Sequence, residues 1–405
     1  MQGYLMAMPT PAVTKKLPLL LGFLIAVGPL STDMYLPAFP QIAADFQSHA
    51  APQISLAAYF AGLAVGQMTQ GALSDRVGRR GPLLVGMIIY TLASIGCALC
   101  WNVSSLAVFR FLAALGCSAG VVIPRAMVRD LADGPAAAKL FSKLILVMGV
   151  APIVAPMLGA VIVSVAHWRL IFVAAALYGV AAIWLVWRHL PDTLPVARRT
   201  RIGLVPVLVR YVNISRERAF ITHAFVAAFA SGALFAYLSA TPQIFIGGFG
   251  WNTLQYAALF GLNATAYIGY NQLNPALVNR FGISKVLVFA VIALLLACLI
   301  LVALALHPMG PFSVIVALLM SEIGFGLITP CAMVGALSRH QAHAGSASAL
   351  MGTMQYSSGA LAGLAMGLLG SNTVGPMATA MLVCALAAAA AAWARPPLIF
   401  SSVES

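Results

Sequence analysis

The sequence predicts an all-α membrane protein in which twelve transmembrane helices form two six-helix bundles related by pseudo-symmetry. Three observations lead there. Of 405 residues, 62% are hydrophobic and 8% are charged, where a soluble chain has roughly a quarter charged, so most of this chain cannot face water. Apolar runs of about 20 residues, the length that crosses a hydrocarbon core of about 30 Å, follow one another along the sequence. A loop segment after the second run recurs after the eighth. A β-barrel is excluded because stretches such as Val286–Leu306 are apolar on every face rather than alternating.

Breaking the chain at polar, Gly/Pro and charge clusters places spans at 17–39, 54–73, 82–100, 104–128, 137–161 and 168–190. After a linker come spans at 219–240, 254–277, 285–306, 311–336, 344–369 and 377–394. The domains are therefore an N-terminal bundle (1–190), a basic cytoplasmic linker (191–218) and a C-terminal bundle (219–405). The first run follows Lys15 and Lys16 like the core of a signal peptide, but it is too long and lacks a small-residue cleavage site, so it reads as a retained span. In the linker, Pro191, Pro195 and Pro206 interrupt a basic stretch, and a short amphipathic helix is expected around Leu204–Tyr211.

The formal charge of +13 does not point to nucleic acid, because the basic residues follow membrane topology. With a cytoplasmic N-terminus, the inside segments collect Lys15, Lys16, Arg76, Arg79, Arg80, Arg129, Lys139, Arg198, Arg199, Arg201, Arg216, Arg218, Arg280, Lys285, Arg339 and Arg395. Arg169 stands outside. The positive-inside rule requires this asymmetry, and both termini are then cytoplasmic, in a bacterial inner membrane. Trp101, Trp168 and Trp251 fall at outer helix ends and Trp184, Trp187 and Trp393 at inner ends, where indoles belong.

The repeat is direct. Ala72-Leu-Ser-Asp-Arg-Val-Gly78 matches Ala276-Leu-Val-Asn-Arg-Phe-Gly282, and Pro124-Arg-Ala-Met-Val128 matches Pro330-Cys-Ala-Met-Val334. Two units in one orientation imply a substrate site between them near mid-membrane. A channel seldom needs that arrangement, and no catalytic constellation supports an enzyme. No GxxxxGK[ST] loop binds ATP, which leaves the proton gradient as energy source, with no cofactor. No metal site is expected: Cys97 and Cys100 form a CxxC at a helix end, and His340 and His343 lack further ligands.

Asp33 is the sharpest residue, since an acid at bilayer depth costs roughly 2.5–3.5 kcal/mol on insertion scales. Counted from the outer ends of spans 1 and 4, Asp33 and Arg110 lie at equal depth and are expected to pair. Glu322, near the midplane of span 10, is a second acid that could carry a proton or bind a cation. Arg125 lies close enough to the inner face to snorkel. Span 8 is unusually polar, with Asn263, Thr265, Tyr267, Tyr270, Asn271, Gln272 and Asn274. With Tyr35 and Tyr59, Asn263 and Tyr267 are expected to line an aromatic, amide-rich substrate cavity.

The run Gly71-Ala-Leu-Ser-Asp-Arg-Val-Gly-Arg-Arg-Gly81 resembles the GxLaDrxGrR signature of the major facilitator superfamily. The resemblance implies that Gly71, Asp75, Arg76, Gly78, Arg79 and Arg80, with Asp130, latch the inner ends of the two halves. Gly149-Val-Ala-Pro-Ile-Val-Ala-Pro-Met-Leu-Gly159 is similar to the antiporter motif of the drug:proton branch, with Ala155 where a glycine is usual. Gly149, Pro152, Pro156 and Gly159 inherit that motif's role, which implies export. Arg110 resembles the arginine of the RxxQG motif implicated in proton coupling, although Ala113 and Ala114 replace its Gln and Gly. Ser31-Thr-Asp-Met-Tyr-Leu-Pro37, Arg125-Ala-Met-Val-Arg-Asp130 and Trp168-Arg-Leu-Ile-Phe172 look like the Bcr/CflA (bicyclomycin/chloramphenicol resistance) branch. The implied function is a monomeric, proton-coupled antiporter that exports small amphipathic drugs, with export of a sugar or amino acid as the alternative.

Overall fold

The computed structural model describes residues 17–131, 134–199, 204–340, 343–370 and 373–396. Lys15, Lys16 and Arg201, and the side chains of Lys139 and Arg198, lie outside the described residues. All regular structure among the described residues is helical.

The first span is a broken run of 29 residues, Leu17–Asp45. It comprises α1 (Leu17–Ile25), α2 (Val27–Asp33), a 3₁₀ turn (Leu36–Ala38) and α3 (Phe39–Asp45). Pro29, Pro37 and Pro40 each lack an amide donor, so the ladder is interrupted without the path being lost. The expected end at residue 39 is therefore too early. Pro40 sits in the first turn of α3, where a missing N–H costs little, and the span continues to Asp45.

Five helices complete the first six spans: α4 (Ala51–Val77), α5 (Arg80–Ala98), α6 (Val103–Leu131), α7 (Gly134–Val165) and α8 (Arg169–His189). The linker carries α9 (Leu204–Ser215). Then follow α10 (Arg218–Pro242), a π-helical turn (Gln243–Gly248), α11 (Thr253–Phe281), α12 (Ile283–Leu306), α13 (Pro311–Leu337), α14 (Ala344–Leu369) and α15 (Val374–Trp393).

The sequence repeat is also a structural one. α4 ends at Gly78 (φ +110°) and α11 at Gly282 (φ +83°), backbone angles that favour glycine. Each glycine amide bonds the carbonyl four residues back, Ser74 at 3.1 Å and Val278 at 2.8 Å. Pro124 in α6 and Pro330 in α13 both lie inside their helices, one to two turns from the C-terminal end.

Among the described residues, nine spans are long and apolar enough to cross a membrane on composition alone; α4, α11 and α14 are not among them. Each of these helices has one face against a helix of the other bundle. α4 lies against α14, and α11 against α7, which is where the two bundles meet. A helix facing another helix rather than lipid tolerates polar side chains that a lipid-facing helix does not. Within the first bundle the contacts are close: a Cβ added at Gly116 of α6 would fall on the Gly86 and Tyr90 backbone of α5. Trp168, expected as an interfacial anchor, is fully buried and donates its indole N–H to Asp45 at 2.8 Å.

Candidate functional site between the bundles

Arg110 is 1% exposed and sits in an aromatic cage. Its guanidinium carbon lies 4.1 Å from the Tyr59 ring centroid, 4.6 Å from Tyr35 and 5.7 Å from Phe172. Nη1 donates to the Ser31 carbonyl at 3.0 Å. The tyrosines are held in turn: the Tyr35 hydroxyl bonds Ser55, and the Tyr59 hydroxyl donates to the Cys117 sulfur at 3.2 Å. A desolvated cation over a ring gains about 2 kcal/mol or more, so π-faces replace the missing carboxylate. Tyr35 and Tyr59, expected in the substrate cavity, are fully buried around this arginine.

Asp33 does not pair with Arg110: no ion pair joins them among the described residues. Two features undo the expected partnership. Span 1 ends later than expected, so depth counted from its end no longer matches. Helix phase separates them as well. Ser31 and Tyr35, four residues apart, both touch Arg110. Asp33, two residues from each and so on a different side of a helical turn, makes no contact with Arg110 among the described residues.

Just beyond Asp33, the 3₁₀ turn of span 1 packs on α10 and α11 of the second bundle. Asp33 is 8% exposed and has no hydrogen-bond partner among the described residues, while Tyr237, Tyr256 and Tyr356 lie within its electrostatic reach. Glu322 in α13 is 2% exposed with Oε2 unpartnered, and Tyr237 and Tyr267 lie within its reach. Tyr237 lies within the electrostatic range of both acids. Tyr237 and Tyr256 carry no signal of this position in the sequence, whereas the polar run Gln355-Tyr356-Ser357-Ser358 in an otherwise apolar span marks Tyr356.

Asn263 is buried, donating to Leu259 of its own helix at 3.0 Å, with Oδ1 unpartnered. Tyr267 lies beside Gly326 of α13, close to Glu322. Other polar groups of α11 hold helices together. Asn271 donates to Gly326 at 3.4 Å, and Asn274 to Leu327 at 3.2 Å.

At the end opposite the basic loops, the bundles are closed. Gln53 of α4 donates to the Gln243 side chain at 2.8 Å and to the Ser239 carbonyl at 3.3 Å, and Gln243 donates to the His49 carbonyl at 3.0 Å. The rings of Phe60 and Phe235 meet across the same interface at 4.1 Å, with Tyr356 stacked on Phe235 at 6.0 Å.

At the basic end, Arg79 is the hub. Its Nε and Nη2 hold Asp130 at 2.7 and 3.3 Å, Nη1 holds Asp75 at 2.5 Å and Ser74 at 2.9 Å, and its amide donates to Asp192 at 2.9 Å. Burial pulls the Arg79 pKa down, but the Asp130 and Asp75 carboxylates more than offset this and hold it above its ordinary value. Arg80 donates to the Trp187 carbonyl at 2.6 Å, and Thr193 to Asp130 at 3.0 Å. A Cβ at Gly78 would fall on Asp192 and Arg199, one at Gly71 would meet Val122 at an ordinary 3.9 Å, and Arg76 makes no bond among the described residues. Every bond of this cluster therefore stays within the first bundle and the start of the linker. Among the described residues, no bond joins this cluster to the second bundle.

The model of the Major Facilitator Superfamily matches residues 21–363. The chain belongs to this superfamily. It is 34% identical over 386 residues, 93% of this chain and 94% of the relative, to the uncharacterized MFS-type transporter YdgK of Bacillus subtilis. It is 30% identical to the bicyclomycin resistance protein homolog of Haemophilus influenzae, covering 90% and 92% of the two chains. To the multidrug resistance protein MdtL of Escherichia fergusonii it is 27% identical, covering 82% and 83%. Two solved structures share the fold. The bacterial homolog of the lysosomal transporter Spinster, inward-facing and unoccupied, aligns with a TM-score of 0.74 at 14% identity, covering 93% and 95%. The xylose transporter XylE from E. coli, partially occluded and inward-open, gives 0.72 at 12% identity, covering 93% and 96%.

In this major facilitator, α7 runs between span 1 and α11. A Cβ at Gly159 would fall on the Met34 carbonyl, next to Asp33, so glycine is needed for the close approach. A Cβ at Gly149 would meet Ile268 of α11 at an ordinary 3.6 Å. Pro152 and Pro156 lie between them, each removing one helix hydrogen bond. The motif helix thus touches the span that bears Asp33 on one side and the second bundle on the other.

Proposed function

We propose that this chain is a proton-coupled antiporter that exports small amphipathic drugs by alternating access. It lies in a bacterial inner membrane, with its basic face and both termini in the cytoplasm. The carrying observation is the pair of buried acids, Asp33 and Glu322, placed on opposite bundles and neither in an ion pair among the described residues. The names of the bicyclomycin and multidrug relatives support drugs over a sugar or amino acid.

An isolated carboxylate in low dielectric is costly, so each acid either holds a proton or faces a cationic or hydrogen-bonding ligand. Protonation from the outside neutralises Asp33 and lets the bundles reclose over it. Release of that proton to the cytoplasm restores a charge that favours substrate capture. Arg110 acts through its cage: it fixes Ser31 and Tyr35, and thereby the direction in which Asp33 points. An inward proton crossing a potential of about 100 mV yields about 2.3 kcal/mol, and this drives export. One chain contains both bundles and both acids, which suits a monomer. The latch residues Asp75, Arg76, Arg79, Arg80 and Asp130 stabilise the basic end when it closes in turn.

The test uses purified protein in liposomes loaded with a pH-sensitive dye, with chloramphenicol or bicyclomycin added. Drug-dependent proton movement is expected for wild type and not for Asp33→Asn, while Glu322→Gln is expected to lower it. Equal proton movement in wild type and Asp33→Asn would falsify the coupling assignment.

A further inference from the structure

We infer that the linker helix α9, together with His340 and His343, forms a binding pocket for the headgroup of an anionic phospholipid. A cavity of about 330 Å³ lies there, lined by Pro206, Val209, Arg210, Asn213, His340 and His343, with Ile214 behind them. Its chemistry is that of a phosphodiester site. Arg210 offers a guanidinium without hydrogen bond or ion pair among the described residues, and Asn213 and His343 add donors. The nearby acid does not cancel this charge, because the Glu217 carboxylate is already taken by Arg339 at 3.4 Å and by His340.

The pocket is built on a fixed helix. The Tyr211 hydroxyl donates to the Met68 carbonyl of α4 at 3.2 Å, and Ile214 packs with Phe220, Ala336 and Met351 of the second bundle. α9 is thus tied to both halves. Beside the polar lining, the same helix leaves Leu208, Val209 and Val212 roughly half exposed, an apolar strip with nothing of this chain over it among the described residues. A soluble phosphate or nucleotide would leave that strip in water. A lipid supplies both parts, a phosphate for Arg210 and acyl chain for the strip, and basic pockets at membrane-helix ends are where anionic headgroups bind.

The test is native mass spectrometry of the full-length protein, delipidated in detergent and incubated with phosphatidylglycerol or phosphatidylethanolamine. Wild type is expected to retain phosphatidylglycerol in preference, and Arg210→Gln to lower that occupancy by about fivefold or more, the weight of one basic residue at an anionic surface. Arg210→Lys keeps most of it. Arg216→Gln, an exposed arginine outside the pocket, leaves it unchanged. Millimolar inorganic phosphate is expected not to displace the lipid. The pocket is ruled out if Arg210→Gln binds like wild type, if Arg216→Gln loses as much, or if phosphate competes fully. Should Arg210→Gln melt below wild type, Asn213→Ala decides: a partial loss of phosphatidylglycerol upholds the pocket, and unchanged occupancy removes it.

Discussion

Arg79 and its two carboxylates separate a strong contact from a weak one within a single motif. Asp130 is 14% exposed at its side chain and takes two guanidinium nitrogens, whereas Asp75 is 48% exposed and takes one. Removing one partner of a buried pair is costly and removing one from an exposed pair is not. Asp130→Asn is expected to cost about 1–3 kcal/mol, discounted because Asp75 remains, and Asp75→Asn less than about 1 kcal/mol. Thermal unfolding in detergent measures both, and the reverse order would remove Arg79–Asp130 as the main tie. Arg110 shows the same economy of partners with rings in place of acids. Its replacement by Lys keeps the charge but loses the flat guanidinium stacked between tyrosines, so Arg110→Lys is expected to lower the melting temperature and slow transport.

For the elements, α7 is decisive because its glycines differ in what surrounds them. Gly159→Ala pushes a methyl against the Met34 carbonyl and must shift span 1 together with Asp33, whereas Gly149→Ala adds only an ordinary contact with Ile268. Gly159→Ala is accordingly expected to cut drug-dependent proton movement at least about tenfold, equivalent to about 1.4 kcal/mol, while Gly149→Ala leaves it near wild type. Similar activity of the two variants would mean that close packing of α7 on span 1 is not needed. The polar helices follow the same logic. α11 and α14 spend polarity on neighbouring helices, as Asn271 and Asn274 do on α13 and Thr353 on the Ala64 carbonyl at 3.1 Å.

On the scale of the whole molecule, the two ends are held differently. Gln53 and Gln243 join the bundles at one end, while the Arg79 cluster at the other stays within its own bundle. Alternating access requires the first of these contacts to break in each cycle. Cysteines at positions 53 and 243, in a background with the native cysteines replaced, are expected to cross-link and to stop transport until a reductant is added. Transport that continues while the cross-link is intact would show that this end does not open.

Membrane insertion acts on local quantities, and these the sequence by itself determined. Apolar length, basic end and motif placed the spans, and comparison of Ala72–Gly78 with Ala276–Gly282 exposed a repeat that recurs as paired positive-φ helix ends. The same locality marked Asp33 and Glu322, since an acid in hydrocarbon stands out wherever it points. Tertiary structure decided what those acids face. Depth is legible in one dimension, but a shift of two residues turns a side chain to another side of a helix, and span 1 is also broken into several helical pieces. That is why Arg110 found Tyr35 and Tyr59 instead of Asp33.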